Sequence, residues 1–300
     1  MGGQKVIFVS ILIACQPSSG LDVKVLPGDV PVEMTASQLP GWGQSAVEVD
    51  GVIWGSSEKT GLVSNANGQE LGRGWEGRGI WLGEVDGELM IGVAGIGLFD
   101  QRGLLVQESP TSRSFAFSSS AWAMAEEGAV RHSDGRLWDL DDPRVVAVDD
   151  GRIAALSCVS QVECRVLELA EEIDELGSGE AGGALSFFEG TLWWGLPELA
   201  FDKGAGRVVS EFGDVIEGRD GDHLGRSIGG GYAAGSVNGH QVPRVLRVEP
   251  LTSGPVFAID RSAGGYSVAL SSGEGGLVMG IPGWVDDGGA VMVVAVGEAP

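Results

Sequence analysis

The chain has 300 residues, 42 acidic against 19 basic, for a formal charge of −23, and 51 of its residues are glycine. So acidic a surface repels nucleic acid and anionic lipid headgroups, which excludes both as partners recruited by charge. An apolar content of 43% excludes a disordered polyanion, and residues 16–300 suffice for one large all-β domain.

The first element is a segment carrying Lys5 followed by the apolar run from Val6 to Ala14, which stops at Cys15. The run is too short to span a bilayer and has the layout of a secretory signal. Its end, Leu12-Ile13-Ala14-Cys15, resembles the lipobox of bacterial lipoproteins. That resemblance implies a signal peptide over 1–14, a lipid on Cys15 and membrane attachment through several acyl chains. Gln16, where an inner-membrane protein of that class would carry Asp, implies the outer membrane. No other run is long and apolar enough to be a transmembrane helix.

Along the rest of the chain short apolar runs flank an acidic residue or Asn followed by Gly. The turn glycines are Gly51, Gly87, Gly128, Gly151, Gly190, Gly239 and Gly275, separated by 36, 41, 23, 39, 49 and 36 residues. Asp-Gly and Asn-Gly are what a two-residue hairpin demands, because its central positions need positive φ. Most of these steps suit a four-stranded propeller blade, and the step of 23 leaves residues 118–170 the least regular region. Apolar runs at Gly103–Val106, Gly206–Val209, Gly254–Phe257 and Gly289–Val294 read as the third strand of each blade. The acid-rich stretch Leu167–Leu176 reads as a loop or one helical turn.

Cys158 and Cys164 stand on two β-rich runs either side of a polar tip, so they can bridge a hairpin in an oxidising compartment; free thiols are the alternative. Nine tryptophans are spread over the repeats. Most read as core between blades, while in a strand the adjacent Trp193 and Trp194 must point to opposite faces. One of that pair is then a candidate contact for a sugar or protein, with burial between blades on each side as the rival.

Residues 221–228 (Gly-Asp-His-Leu-Gly-Arg-Ser-Ile), residues 235–239, and the last repeat with Gly265-Tyr266-Ser267-Val268-Ala269 and residues 276–283 are similar to the FG-GAP repeat of integrin alpha-subunit propellers and their bacterial relatives. Earlier copies are degenerate. The resemblance implies an all-β fold, a seven-bladed β-propeller of four-stranded antiparallel blades, over residues 36–300. It leaves 15–35 as a lipidated tether, in which residues near Val23–Leu26 complete the last blade. The family often binds calcium between the first two strands. Here the sixth repeat offers only Asn238 as a good ligand, beside Ser236 and His240; in the second, Glu84, Asp86 and Glu88 alternate as a weak calcium candidate or a solvated stripe. No cofactor is expected.

Of the remaining chemistry, His132, His223 and His240 lack zinc-like spacing and read as exposed loop residues. Gly92–Gly97 lacks the following helix a phosphate loop needs and reads as a blade turn. Asp141-Asp142, Asp149-Asp150 and Asp286-Asp287 read as turn residues. The sequence thus points to a non-catalytic binding or scaffolding module on the bacterial cell envelope, with an unknown protein or glycan as partner. The alternative is a carbohydrate-active hydrolase or lyase with acidic residues at the propeller mouth.

Overall fold

The computed structural model describes residues 22–24, 32–39, 44–72, 74–160, 163–201, 204–218, 220, 223–235, 244–247, 255–260, 269–273, 276–285 and 288–296; for 22–24, 32–39, 244–247, 255–260, 272–273, 276, 281–285 and 288–296 it describes backbone alone. Cys15, Asn238 and His240 lie outside these residues, as do Gly239, Gly275, Asp286 and Asp287. No helix occurs among the described residues.

Seven antiparallel sheets succeed one another along the chain. They cover residues 46–71, 80–108, 114–139, 143–179, 185–217, 224–260 and 269–296, here blades one to seven. In each the first strand is innermost: Ala46–Val49, Ile80–Val85, Ser114–Phe117, Pro143–Asp149, Leu185–Phe188, Leu224–Gly229 and Ala269–Gly273. Each of these contacts the next, and the seventh contacts the first, which closes a ring. The chain is a seven-bladed β-propeller.

Closure comes from the N-terminal part of the chain. Val32–Leu39 pairs along Gly288–Val296 as the outermost strand of blade seven, so the last blade combines both ends of the domain. This differs from the expectation that residues near Val23 would close it: Asp22–Lys24 instead pairs with Pro255–Asp260 as a fifth strand on blade six. At the seam, the Ser271 hydroxyl of blade seven donates to the Ala46 carbonyl of blade one at 2.8 Å.

The tight corners have the cause expected of them. Asp50-Gly51, Asp86-Gly87 and Glu189-Gly190 have φ of 49° and 69°, 52° and 78°, and 49° and 76°, the two positive values of a hairpin turn matched to strand twist. With Gly151 they join first to second strands in blades one, two, four and five. Gly128 does not: it joins the second and third strands of blade three. The equivalent corner there is the loop after Phe117, where Ser118 Oγ accepts the Ala121 N–H. The short step of 23 therefore marks a different hairpin, not a missing blade. The Gly239 dipeptide likewise falls between the second and third strands of blade six, Tyr232–Gly235 and Arg244–Arg247, whose first corner is at Gly230-Gly231.

Two further expectations change. The runs after Gly206 and Gly289 are third strands, but Leu105–Glu108 and Pro255–Asp260 are fourth strands. Leu167–Leu176 contains no helical turn: Cys164–Leu169 and Ile173–Gly179 form a hairpin, and its acids lie near the exposed rim of blade four, where a fourth strand needs only one apolar face.

Alternating strand direction gives the ring two faces. First-to-second and third-to-fourth hairpins lie on one, called front; second-to-third hairpins and blade-to-blade connections lie on the other, called rear. The core sits between blades. Trp194 joins Leu156, Cys158, Cys164 and Val166 of blade four, and Trp193 joins Leu224, Ile228 and Ala233 of blade six. The disulfide Cys158–Cys164 is present, on residues paired across the second and third strands of blade four.

Candidate functional site

The inner strands of all seven blades surround a central cavity of about 640 Å3. Its lining is mostly small or apolar; the charged side chains on it are Glu48, Glu84 and Arg226. Glu48 and Glu84 come from adjacent blades, each two residues before the Asp of a front-face turn. Ser118 and Ser119 of blade three add hydroxyls beside them, and on blades four to six Val148, Phe187 and Ile228 supply apolar surface interleaved with Ser186, Arg226 and Ser227. Trp81 and Phe117 add half-buried aromatic surface.

Local structure sets these side chains. Ser45 on the approach to the first strand accepts the Leu82 N–H at 3.0 Å, tying blade one to blade two. One oxygen of Glu48, Oε2, is buried and finds no hydrogen-bond donor among the described residues. Burial lowers the Arg226 guanidinium from its usual range, as expected for a cation withdrawn from water. The cavity therefore presents carboxylates from blades one and two, a guanidinium from blade six and serine hydroxyls from several blades, interleaved with apolar surface, an arrangement that can take a ligand carrying both polar and apolar groups.

On the front face beside the cavity, Arg152 reaches from blade four to blade five. Its guanidinium donates to Glu211 at 2.7 and 3.0 Å, to Glu168 at 2.8 Å and to the Gly190 carbonyl at 2.6 Å, and lies 5.0 Å from the centre of the Phe187 ring. Hydrogen bonds from Arg152 lead in holding Glu211 below the usual carboxylate range; desolvation opposes them, and the Leu192 N–H adds to them. The result is a fixed Phe187, one wall of the cavity.

The residues singled out from sequence are distributed otherwise. Trp193 and Trp194 do point to opposite faces of their strand, but both are buried, at 1% and 6% exposure. Each fills a seam with a neighbouring blade, so neither offers a ring to a ligand. Glu84, Asp86 and Glu88 do not form one stripe: the two-residue turn pairs Glu84 with Leu89 and Val85 with Glu88, which sends Glu84 and Glu88 to opposite faces of the sheet. Among the described residues no three His, Cys, Asp or Glu side chains gather as a metal site.

His132 and His223 are buried rather than exposed. His132 Nδ1 sits 2.9 Å from Asp134 Oδ1 and His223 Nδ1 3.0 Å from the Pro197 carbonyl, so both brace loops. Gly92–Gly97 is the expected turn between the second and third strands of blade two. Asp142 pairs with Arg144 and Arg113, joining the entrance of blade four to blade three. Glu48, Phe187 and Arg226 were not singled out from sequence; the signal available was their place on first strands, which needs the hairpins counted correctly.

A scan of protein-family models finds no match, and a search of curated proteins finds none. Solved structures do match in fold. The WD40 domain of Toxoplasma gondii coronin superimposes with a TM-score of 0.56 at 8% identity, covering 90% of this chain and 89% of that one. The computationally designed Ika8 protein gives 0.53 at 13% identity, covering 85% and 96%. The extracellular domain of a putative hybrid two-component system, BT4673 from B. thetaiotaomicron, gives 0.56 at 10% identity. This chain spans 42% of that domain and is itself covered over 86%. At these identities the likeness establishes the β-propeller fold alone.

Proposed function

We propose that this protein is a lipid-anchored β-propeller of the bacterial cell envelope, attached through Cys15 to the outer membrane, that serves as a non-catalytic binding or scaffolding module for a protein or glycan. The observation that carries the reading is the central cavity, whose wall mixes charged, hydroxyl and apolar groups. Glu48, Glu84, Ser118, Ser119 and Arg226 line it together with Phe187, Val148 and Ile228, and sugar rings present hydroxyls at the edge and hydrocarbon on the face. The likeness in fold to an extracellular domain of a bacterial sensor and the FG-GAP-like residues of the last third suit the same reading, with this chain as a divergent member of that repeat class. No cofactor is invoked, and calcium has no role in it.

The test is capture from envelope extract with the mature chain as bait, compared with Glu48→Gln/Phe187→Ala as bait. Binding that weakens about tenfold or more in the double variant supports the reading. A partner retained equally by both removes the cavity from it.

The second reading is a hydrolase or lyase, and the adjacent Glu48 and Glu84 favour it as a carboxylate pair. Release of reducing ends from envelope glycans by the native chain, abolished in both Glu48→Gln and Glu84→Gln, would establish that reading in place of the first.

A further inference from the structure

The large apolar side chains exposed on the described surface fall into two groups: on the outer strands of blades two to five or the front-face hairpins that lead into them, where Leu104 and Phe212 lie, and on rear-face hairpins of blades four and five. The second group consists of Val159, Leu199 and Phe201, the last 66% exposed. Val159 follows Arg152–Cys158 and precedes Cys164–Leu169; Leu199 and Phe201 lie between Thr191–Leu196 and Arg207–Ser210. Both are second-to-third hairpins, on one face and on neighbouring blades.

These tips are held firmly for exposed apolar groups. The Cys158–Cys164 disulfide spans the base of the first. The second is clamped by Glu180, whose carboxylate accepts the Glu198 N–H at 2.7 Å and the Leu199 N–H at 2.8 Å, and by His223 on the Pro197 carbonyl. Glu198 is kept at a φ of 54°, a conformation that a non-glycine residue holds only when its surroundings fix it.

The direction of the N-terminal strand adds the second argument. Asp22–Lys24 is antiparallel to Pro255–Asp260, with Asp22 opposite Asp260. Asp260 ends a fourth strand and so lies toward the rear face, and the chain before Asp22 starts from that side of blade six, next to blade five. Cys15 precedes Asp22 by seven residues, which reach at most about 25 Å.

We propose that Val159, Leu199 and Phe201 form a bilayer-docking surface that works with the lipid on Cys15. The rear face then lies on the membrane, and the front face, with Glu48, Glu84 and the acidic turns, points away from it. This rests on the reading of Cys15 as the lipidated residue.

The test reconstitutes the lipidated full chain on zwitterionic vesicles of phosphatidylethanolamine and phosphatidylcholine and compares its backbone hydrogen exchange with that of Cys15→Ser in solution. Protection is expected at the hairpins carrying Val159 and Leu199–Phe201 and not at Asp50-Gly51, Asp86-Gly87 or Glu189-Gly190. Unprotected hairpins, or protection on the front face or the outer strands, overturns the proposal. A lipidated Val159→Ser/Leu199→Ser/Phe201→Ser chain should leave the vesicles at least about tenfold faster; equal release overturns it too. The exchange measurement uses the unsubstituted chain and stands if the triple variant misfolds. Labelled palmitate separates the two readings: no label on Cys15 defeats the anchor and the docking together, and label with unprotected hairpins defeats the docking alone.

Discussion

The two seams of blade five are fastened by different means. Toward blade four the contact is made by side chains: Trp194 donates from Nε1 to the Ser178 carbonyl at 3.1 Å, and Arg152 binds Glu211 and the Gly190 carbonyl. Toward blade six the Trp193 ring packs against apolar side chains, and beside it the backbones themselves meet. Gly195 lies against Gly225, the Ala184 N–H donates to the Gly225 carbonyl, and Gly206 bridges Leu224 in parallel. Equivalent sheets thus associate either through long polar side chains across a gap or by removing side chains until main chains touch. The second leaves no slack: a Cβ on Gly195 would overlap the Gly225 backbone, and Gly225 has a φ of 100°.

The sharpest way to break the contrast is Gly195→Ala. Backbone on both sides cannot yield, so the substitution should cost about 3 kcal/mol, read as a shift of the urea midpoint at unchanged slope. If Gly195→Ala unfolds with the native midpoint, the close approach does not fasten this seam.

Arg152→Ala tests the other seam and should cost about 2 kcal/mol, because Glu211 and Glu168 lose their cation while partly buried. The pH dependence has a definite sign. A carboxylate whose folded pKa is depressed contributes stability that is complete above its unfolded value and lost as pH falls through the folded one. The gap between native and Arg152→Ala proteins should therefore be widest above the ordinary glutamate value of 4.5 and narrow on acidification below it. A gap independent of pH would assign the role of Arg152 to its packing on Phe187.

The disulfide belongs to the same seam, since Cys158 and Cys164 pack with Trp194. Closing so short a loop is worth about 2 kcal/mol. Cys158→Ala/Cys164→Ala should lower stability by that amount, and reductant should bring the native protein to about the same level. A variant as stable as the native protein would leave the bridge with only the positioning of Val159.

What was legible in the sequence follows from this contrast. The acidic-glycine corners at Asp50, Asp86 and Glu189 could be read because a two-residue turn imposes its residue types locally, and the disulfide because its partners sit across one hairpin. Blade three hid its first corner because Ser118 closes that loop by a hydrogen bond to the Ala121 N–H, which needs no glycine. Its Gly128, one hairpin later, imitated the signal. Arg152 with Glu211 and Gly195 with Gly225 are joined only once the ring has formed, so no local pattern announces them. The cavity residues share this difficulty: Glu48 resembles any acid near a turn until its strand is known to be innermost.

The smallest effect separates the two tryptophans. Trp194 Nε1 has the Ser178 carbonyl as acceptor, whereas Trp193 Nε1 is buried with no partner among the described residues. Both rings leave a void when replaced by phenylalanine, and that cost is shared. Trp194→Phe in addition strips a carbonyl of its donor, while Trp193→Phe removes an N–H that had no acceptor to lose. Trp194→Phe should therefore be the more destabilising, by about 1 kcal/mol. The difference should persist when Arg152 is replaced by Ala, because the guanidinium is not a partner of either indole. Equal costs would mean that Trp193 has an acceptor after all, such as an enclosed water, and that the seam toward blade six is also fastened by a polar side chain.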